Sequence, residues 1–222
     1  MGLEHIEEYL GAIFRLRETS TTPLPLGRLQ EHFGFSPISI HEMVQKLEGM
    51  ELISYLPYRG VLLSPKGEAM AAALVRRHRI WECFLTDLLS LPWDTAHEVA
   101  DQLEHAAPEL VTERLADLLG RPEFCPHGTK IPPRDPDTAV GFLQTPTSRL
   151  TQCFPGKSYR VCFISPEIPD YLKQFQGWGI QPGCTVQFIE KKDASSEVKI
   201  KEREITLQDP LAQTIWVIEA AV

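Results

Sequence analysis

The chain has 222 residues, 43% of them apolar, and a formal net charge of −8. Domains usually run to about 100–150 residues, so this length accommodates more than one, and the apolar share excludes general disorder. The acid excess excludes a protein that holds nucleic acid by bulk positive charge, and no apolar run reaches the roughly 18 residues of a membrane-spanning helix.

Residues 3–17 place Leu3, Ile6, Leu10, Ile13 and Phe14 at helical spacing, and the stretch from Thr19 to Pro25 ends that helix. A second short helix carries Leu26, Leu29 and Phe33 and stops at Gly34. Ser36-Pro37 reads as an N-cap followed by a first-turn proline, opening a third helix to about Gly49 with Ile40, Val44 and Leu47 on one face. Two short strands, Leu52 to Leu56 and Val61 to Leu63, flank Pro57-Tyr58-Arg59-Gly60. This order predicts a winged helix-turn-helix over residues 1–64.

Ser64-Pro65 repeats the cap-and-proline start, and a long helix is expected from there to about Leu89. Leu91-Pro92-Trp93 turns the chain, Asp94 is the expected cap of a helix ending near Ala106, and Pro108 starts another that closes at Gly120. Helices this amphipathic need a partner surface, and self-association supplies one. Residues 65–122 therefore read as a helical dimerisation domain. Six of the 18 prolines fall between 122 and 146, predicting an arm or linker over 123–148. Alternating segments at 158–164, 185–190, 197–201, 203–207 and 214–219 predict a small β-barrel of about five strands within residues 149–222. The fold class is thus mainly α with a small β portion. The N-terminus lacks the basic-then-apolar form of a signal peptide, and five scattered cysteines make no disulfide framework, so a cytoplasmic protein is expected.

Residues 67–122 hold ten acidic side chains against five basic ones. Either they form a solvated acidic face, or carboxylates are gathered to meet a cation. His97, Asp101, Glu104 and His105 share one stripe over two helical turns, beside the apolar Val99, Leu103 and Ala106. The long helix offers His78 and Glu82 one turn apart, the first helix Glu7-Glu8, and the arm Cys125-Pro126-His127. Taken singly, these are an ordinary surface pair, a solvated acid and a small buried thiol; the stripe at 97–105 is what raises metal binding. His97-Glu98-Val99-Ala100-Asp101 approaches the H-E-x-x-H of zinc proteases, but Asp101 stands where the second imidazole is needed. At the third helix, Ser36, Pro37, Ser39 and His41 suit the base-facing end of a recognition helix, with Arg28, Lys46, Arg59 and Lys66 as placed cations for phosphate.

The run Tyr58-Arg59-Gly60-Val61-Leu62-Leu63-Ser64-Pro65-Lys66-Gly67, the helix Met43-Val44-Gln45-Lys46-Leu47, and the segments His78-Arg79-Ile80-Trp81-Glu82 and Glu104-His105 resemble the diphtheria toxin repressor family of metal-dependent transcription regulators. The last third resembles the SH3-like, FeoA-type domain of its longer members. The resemblance implies a homodimeric repressor of metal-uptake genes that binds palindromic double-stranded operator DNA, with no enzymatic activity and no membrane partner. It implies two metal sites per subunit: Glu8 with Asp101, Glu104 and His105, and a second with His78, Glu82 and His97. Cys125 and His127 resemble the metal-reaching pair of streptococcal manganese-responsive members, and Glu167 or Asp170 would complete that second site. Iron-type members place methionine and cysteine where this chain has Glu8 and Asp101. Oxygen donors suit harder ions, so Mn²⁺ is expected, with Fe²⁺ as the alternative. Short binuclear manganese members carry a glutamate where this chain has Gly11, so their paired arrangement is not expected. A metallohydrolase or a metal buffer would leave the wing and recognition helix without a use.

Overall fold

A computed structural model describes residues 2–20, 22–135 and 147–220. The second half of the expected proline-rich arm, 136–146, lies outside the described residues. The chain divides into two compact units, one comprising residues 2–78, 104–106 and 132–135, the other residues 79–103, 107–131 and 147–220.

In the first unit α1 (Leu3–Arg17), α2 (Leu26–Phe33) and α3 (Pro37–Gly49) precede the two-stranded wing β1 (Ile53–Leu56) and β2 (Gly60–Leu63). The apolar stripe of α1 buries Ile6, Tyr9, Leu10, Ile13 and Phe14 against Leu29, Ile40, Val44 and Leu47. Gly34 closes α2 in the left-handed conformation, and Ser36 caps α3 by accepting from the Ser39 amide at 3.1 Å. Leu24 and Val61 exchange two backbone hydrogen bonds of 2.9 Å, tying the loop before α2 to the wing. Gly60 permits that approach, because a Cβ there would lie 2.1 Å from the Leu24 carbonyl oxygen.

Ser64 caps the long helix α4 (Pro65–Cys83) through the Gly67 amide at 3.0 Å, as its cap-and-proline pair foretold. A Cβ at Gly67 would lie 1.9 Å from the Leu52 carbonyl oxygen, a backbone atom that cannot step aside. Gly67→Ala is therefore expected to destabilise this unit by about 3 kcal/mol, the upper end for overpacking, measurable as a lowered urea midpoint. At Gly11, α1 sits so close to α4 that a Cβ would meet Leu74 Cδ2 at 3.0 Å. A larger side chain in that place would have to displace the tip of Leu74.

In the second unit, α4 runs into a π-helical turn at Phe84–Leu88. The next helix, α5 (Trp93–Ala106), is preceded by Pro92 rather than capped by Asp94, which sits in its first turn. α6 (Glu109–Leu118) follows, and Gly120 ends it at φ +73° as expected. The β portion is a six-stranded antiparallel sheet, not five strands: β3 (Ser148–Arg149), β4 (Ser158–Ile164), β5 (Thr185–Lys191), β6 (Ser195–Ile200), β7 (Arg203–Gln208) and β8 (Ile215–Glu219), in the order β3-β8-β4-β5-β6-β7. The helix α7 (Pro169–Trp178) links β4 to β5, and α8 (Asp209–Ala212) links β7 to β8. Leu172 and Phe175 of α7 pack into the sheet core with Val161, Val186, Phe188 and Val217. Trp93 joins that core, and its amide donates to Gln176 Oε1 at 3.1 Å.

Candidate metal centres and nucleic-acid face

Two clusters of metal-ligating side chains emerge, one in each unit. In the first, α1 and the end of α5 meet. His105 lies between two acids of α1: its Nδ1 is 2.9 Å from Glu7 Oε2 and its Nε2 3.1 Å from Glu8 Oε1. Glu104, only 2% exposed, places Oε1 3.6 Å from the same Nε2. Its Oε2 accepts from Arg15 at 3.1 Å and lies 2.6 Å from His78 Nδ1. Arg77 donates to Glu7 at 3.3 Å and to the Glu104 backbone carbonyl at 2.7 Å. Burial opposes a charge on His105, but hydrogen bonds to Glu7 and Glu8 and the nearby Glu104 charge outweigh it and hold its pKa above the usual histidine range. With a carboxylate at each ring nitrogen, the imidazolium is the favoured form when no other cation is present.

Glu8, Glu104 and His105, named from sequence, are thus brought together, and His78 reaches Glu104. Glu7 was named from sequence only as the neighbour of Glu8, with Glu8 the expected ligand, and Arg15 and Arg77 were not picked out. The signal for Glu7 was its place beside Glu8; nothing local marked the arginines, whose partners lie 89 and 70 residues away. Asp101 precedes Glu104 by about one turn on α5 and lies 4.0 Å from His97 Nε2, with its side chain half-exposed.

In the second unit Glu82, Cys125, His127 and Glu167 bring one ligand atom each within 4.8 Å of one another. Glu82 Oε1 is 2.8 Å from His97 Nδ1 and 3.3 Å from His127 Nδ1. The Cys125–Lys130 turn presents the arm residues. Its Gly128 adopts φ +83°, and a Cβ there would lie 2.2 Å from the Cys162 carbonyl oxygen. The turn also returns Thr129, whose Oγ1 is 3.0 Å from Cys125 Sγ and donates to Glu167 Oε1 at 3.1 Å. Ile164 donates its amide to the His127 carbonyl at 2.9 Å, which sets Glu167, just past β4, beside the turn. Asp170, the other sequence candidate, is exposed in the first turn of α7 and belongs to no such cluster among the described residues. Thr129 is a further residue that the sequence reading missed.

Burial pushes the Cys125 thiol pKa up, and the Glu82 and Glu167 charges push it further, against the opposing effect of His127. Burial alone would lower the His127 pKa, but the Glu82 charge reverses this and holds it well above the usual range. His127 Nε2 is buried and hydrogen-bonds to nothing among the described residues. The other ring nitrogen, Nδ1, faces two carboxylates and the Cys125 thiol, together a donor set that a divalent cation fits.

The third constellation is on α3 and the wing. Ser36 Oγ and Ser39 Oγ are 2.9 Å apart, and His41 Nε2 lies 3.2 Å from Gln45 while its ring packs edge-on to Tyr55. Pro37 sits exposed at the helix start. Arg28 pairs with Glu31 at 3.1 Å, and Lys66 reaches the Met50 carbonyl at 3.4 Å. Lys46 and Arg59 are exposed, the latter beside the wing tip at Tyr58.

Comparison with known proteins matches the descriptions "Iron dependent repressor, N-terminal DNA binding domain" to residues 1–61, "Iron dependent repressor, metal binding and dimerisation domain" to 64–133, and "FeoA domain" to 148–219. The diphtheria toxin repressor of Corynebacterium jeikeium is 29% identical over 209 residues, which are 84% of this chain and 85% of that protein. The iron-dependent repressor IdeR of Mycobacterium leprae is 36% identical over 126 residues, 57% of this chain and 54% of that protein. A solved manganese-dependent transcriptional repressor in complex with manganese is 31% identical, with a TM-score of 0.83 over 97% of this chain and 100% of that chain.

Proposed function

The chain belongs to the iron- and manganese-dependent repressor family that includes the diphtheria toxin repressor, and from that premise we propose that it is a Mn²⁺-activated repressor, acting as a homodimer on palindromic operators of metal-uptake genes. As a family member it is a metal-dependent transcriptional repressor and not an enzyme. The observation that carries the choice of effector is the convergence of Glu7 and Glu8 from α1 on His105, with Glu104 behind it. Glu8, Glu104 and His105 would hold the ion, with Asp101 one turn earlier on α5 as a further donor. Carboxylate oxygens dominate this set, which favours Mn²⁺ over softer ions, with Fe²⁺ as the alternative. A bound cation supplies the positive charge that lets these acids face one another. Glu82, His97, Cys125, His127 and Glu167 would form a second site. Cys125 must lose its proton to serve there.

The fold supports a linkage between metal and DNA. α1 packs directly on the residues that seat α3, through Ile6, Tyr9 and Phe14. Ligands on α1 and α5 together therefore fix the recognition helix relative to the end of α5. Whatever factor metal adds to DNA affinity, DNA adds to metal affinity. A factor of roughly 100 requires about 2.7 kcal/mol of differential binding. Exposed Leu88, Leu89, Leu110 and Leu118 in the second unit supply apolar surface for a second copy.

The test is a gel-shift titration with Mn²⁺ and, under anaerobic conditions, Fe²⁺. Operator retention is expected with Mn²⁺ and not with chelator; activation by Fe²⁺ at far lower free concentration would overturn the assignment of manganese. The same titration carries a pH prediction. His105 is protonated below its raised folded pKa, and there its contacts with Glu7 and Glu8 add stability that is lost as pH rises through that value. Metal needs the neutral ring, so the sign for binding is opposite. Mn²⁺ affinity is expected to fall up to about tenfold per pH unit below that pKa, as calorimetry would record.

A further inference from the structure

We propose that Glu42 is a specificity-determining residue that reads a cytosine in each operator half-site; this deepens the repressor reading and rests on it. The inner face of α3 is fixed by Ile40, Met43, Val44 and Leu47, all buried. The outer face therefore presents Ile38, Ser39, Glu42, Gln45 and Lys46, all exposed, with Glu42 at its centre. The neighbouring polar groups are already engaged, Ser39 with Ser36 and Gln45 with His41. Glu42 forms no hydrogen bond or ion pair among the described residues. Of the acids nearest α3, Glu31 is held by Arg28 and Glu48 by the Tyr55 amide.

A bare carboxylate on the face that meets an anionic duplex is repelled by phosphate, and only a base contact that needs an acceptor compensates. An ionised carboxylate accepts and cannot donate. The major groove offers amino donors on cytosine and adenine alone. Adenine sets its N7 acceptor beside the amino group, which suits an amide that both donates and accepts. Cytosine carries no acceptor beside its amino group on that edge, so it is the base matched to Glu42. One turn earlier on the same face, Ile38 is 71% exposed. Such an apolar tip suits a thymine methyl in the adjoining position.

The experiment selects binding sites from randomised duplex DNA with the full chain in Mn²⁺, comparing wild type with Glu42→Gln and Glu42→Ala. Wild type is expected to enrich one cytosine per half-site, preferred over adenine by about tenfold or more in direct competition. Glu42→Gln is expected to move that position to adenine. Glu42→Ala is expected to lose the preference there while binding sites without that cytosine more tightly, as a repulsion is removed. If wild type enriches a metal-dependent motif and both variants enrich the same motif with the same preferences, the role of Glu42 is refuted and the repressor reading stands. If wild type enriches nothing with Mn²⁺, both fail.

Discussion

Glu104→Gln is expected to abolish Mn²⁺-dependent operator retention, with a loss of at least about 100-fold in the DNA affinity gained from metal. The amide preserves shape and removes the charge. Glu104 is the buried acid of the first cluster, with Arg15 and His78 on one oxygen and His105 near the other. A neutral amide is a weaker ligand, and with its oxygen kept toward Arg15 and His78 it turns its N–H donors toward His105. Removing one partner of a buried ion pair costs about 3–5 kcal/mol. Arg15 keeps about a fifth of its side chain in water, so the cost to folding lies below that range. The two effects separate by measurement: thermal unfolding without metal reads the fold, and fluorescence anisotropy on operator DNA with and without Mn²⁺ reads the linkage. Retention of the wild-type metal response by a folded Glu104→Gln protein would refute the first site.

The second large effect is expected at Glu82. Its side chain is fully buried, and one oxygen faces both His97 and His127. Glu82→Gln leaves two imidazoles without their shared counter-charge in a place water does not reach. A loss of about 3–5 kcal/mol follows, near the full cost of breaking a buried pair. For a unit of this size that lowers the melting temperature by roughly 10 °C. The pH profile gives a sharper reading. In the wild type His127 has a raised pKa owing to Glu82, so its contribution is fully present below the ordinary histidine value and fades as pH rises through the raised one. In the variant only Cys125 still opposes the effect of burial on His127, and that slope is expected to shrink in a series of metal-free melts. Calorimetry should also find one Mn²⁺ fewer per chain. A variant melting within about 1 °C of wild type would contradict the buried-pair account.

Much of the first unit was legible because its signals are local. Ser36-Pro37 and Ser64-Pro65 each place a hydroxyl one turn before an amide that needs an acceptor, and both caps form. The stripe Leu3 to Phe14 requires only helical periodicity, although Leu3 itself stays exposed. The failures are of another kind. Asp94 has the chemistry of a cap, yet Pro92 already turns the chain and α5 begins at Trp93. α7 buries mainly Leu172 and Phe175, too few apolar positions to reveal a period. β3 is two residues long and exists through its pairing with β8, which a linear reading cannot supply. At the clusters, residue types at helical spacing marked Glu104 and His105, Glu82 and His97. The choice of Glu167 over Asp170 turned on the amide of Ile164 reaching the His127 carbonyl, a contact between segments some 37 residues apart.

The join between wing and long helix has a mechanical consequence. Ser64 fastens the start of α4 to the end of β2, and Gly67 lies against the Leu52 carbonyl with no slack. His78, touching Glu104, lies fourteen residues along the same helix counting from Pro65. At 1.5 Å per residue that is a stiff rod of about 20 Å. A tilt of such a rod by about 5° at its histidine end would carry the start of α4, where the wing joins it, sideways by roughly 2 Å, about half a base-pair step. A small change of angle at the carboxylate end of α4 would therefore be felt as a larger displacement where the helix meets the wing.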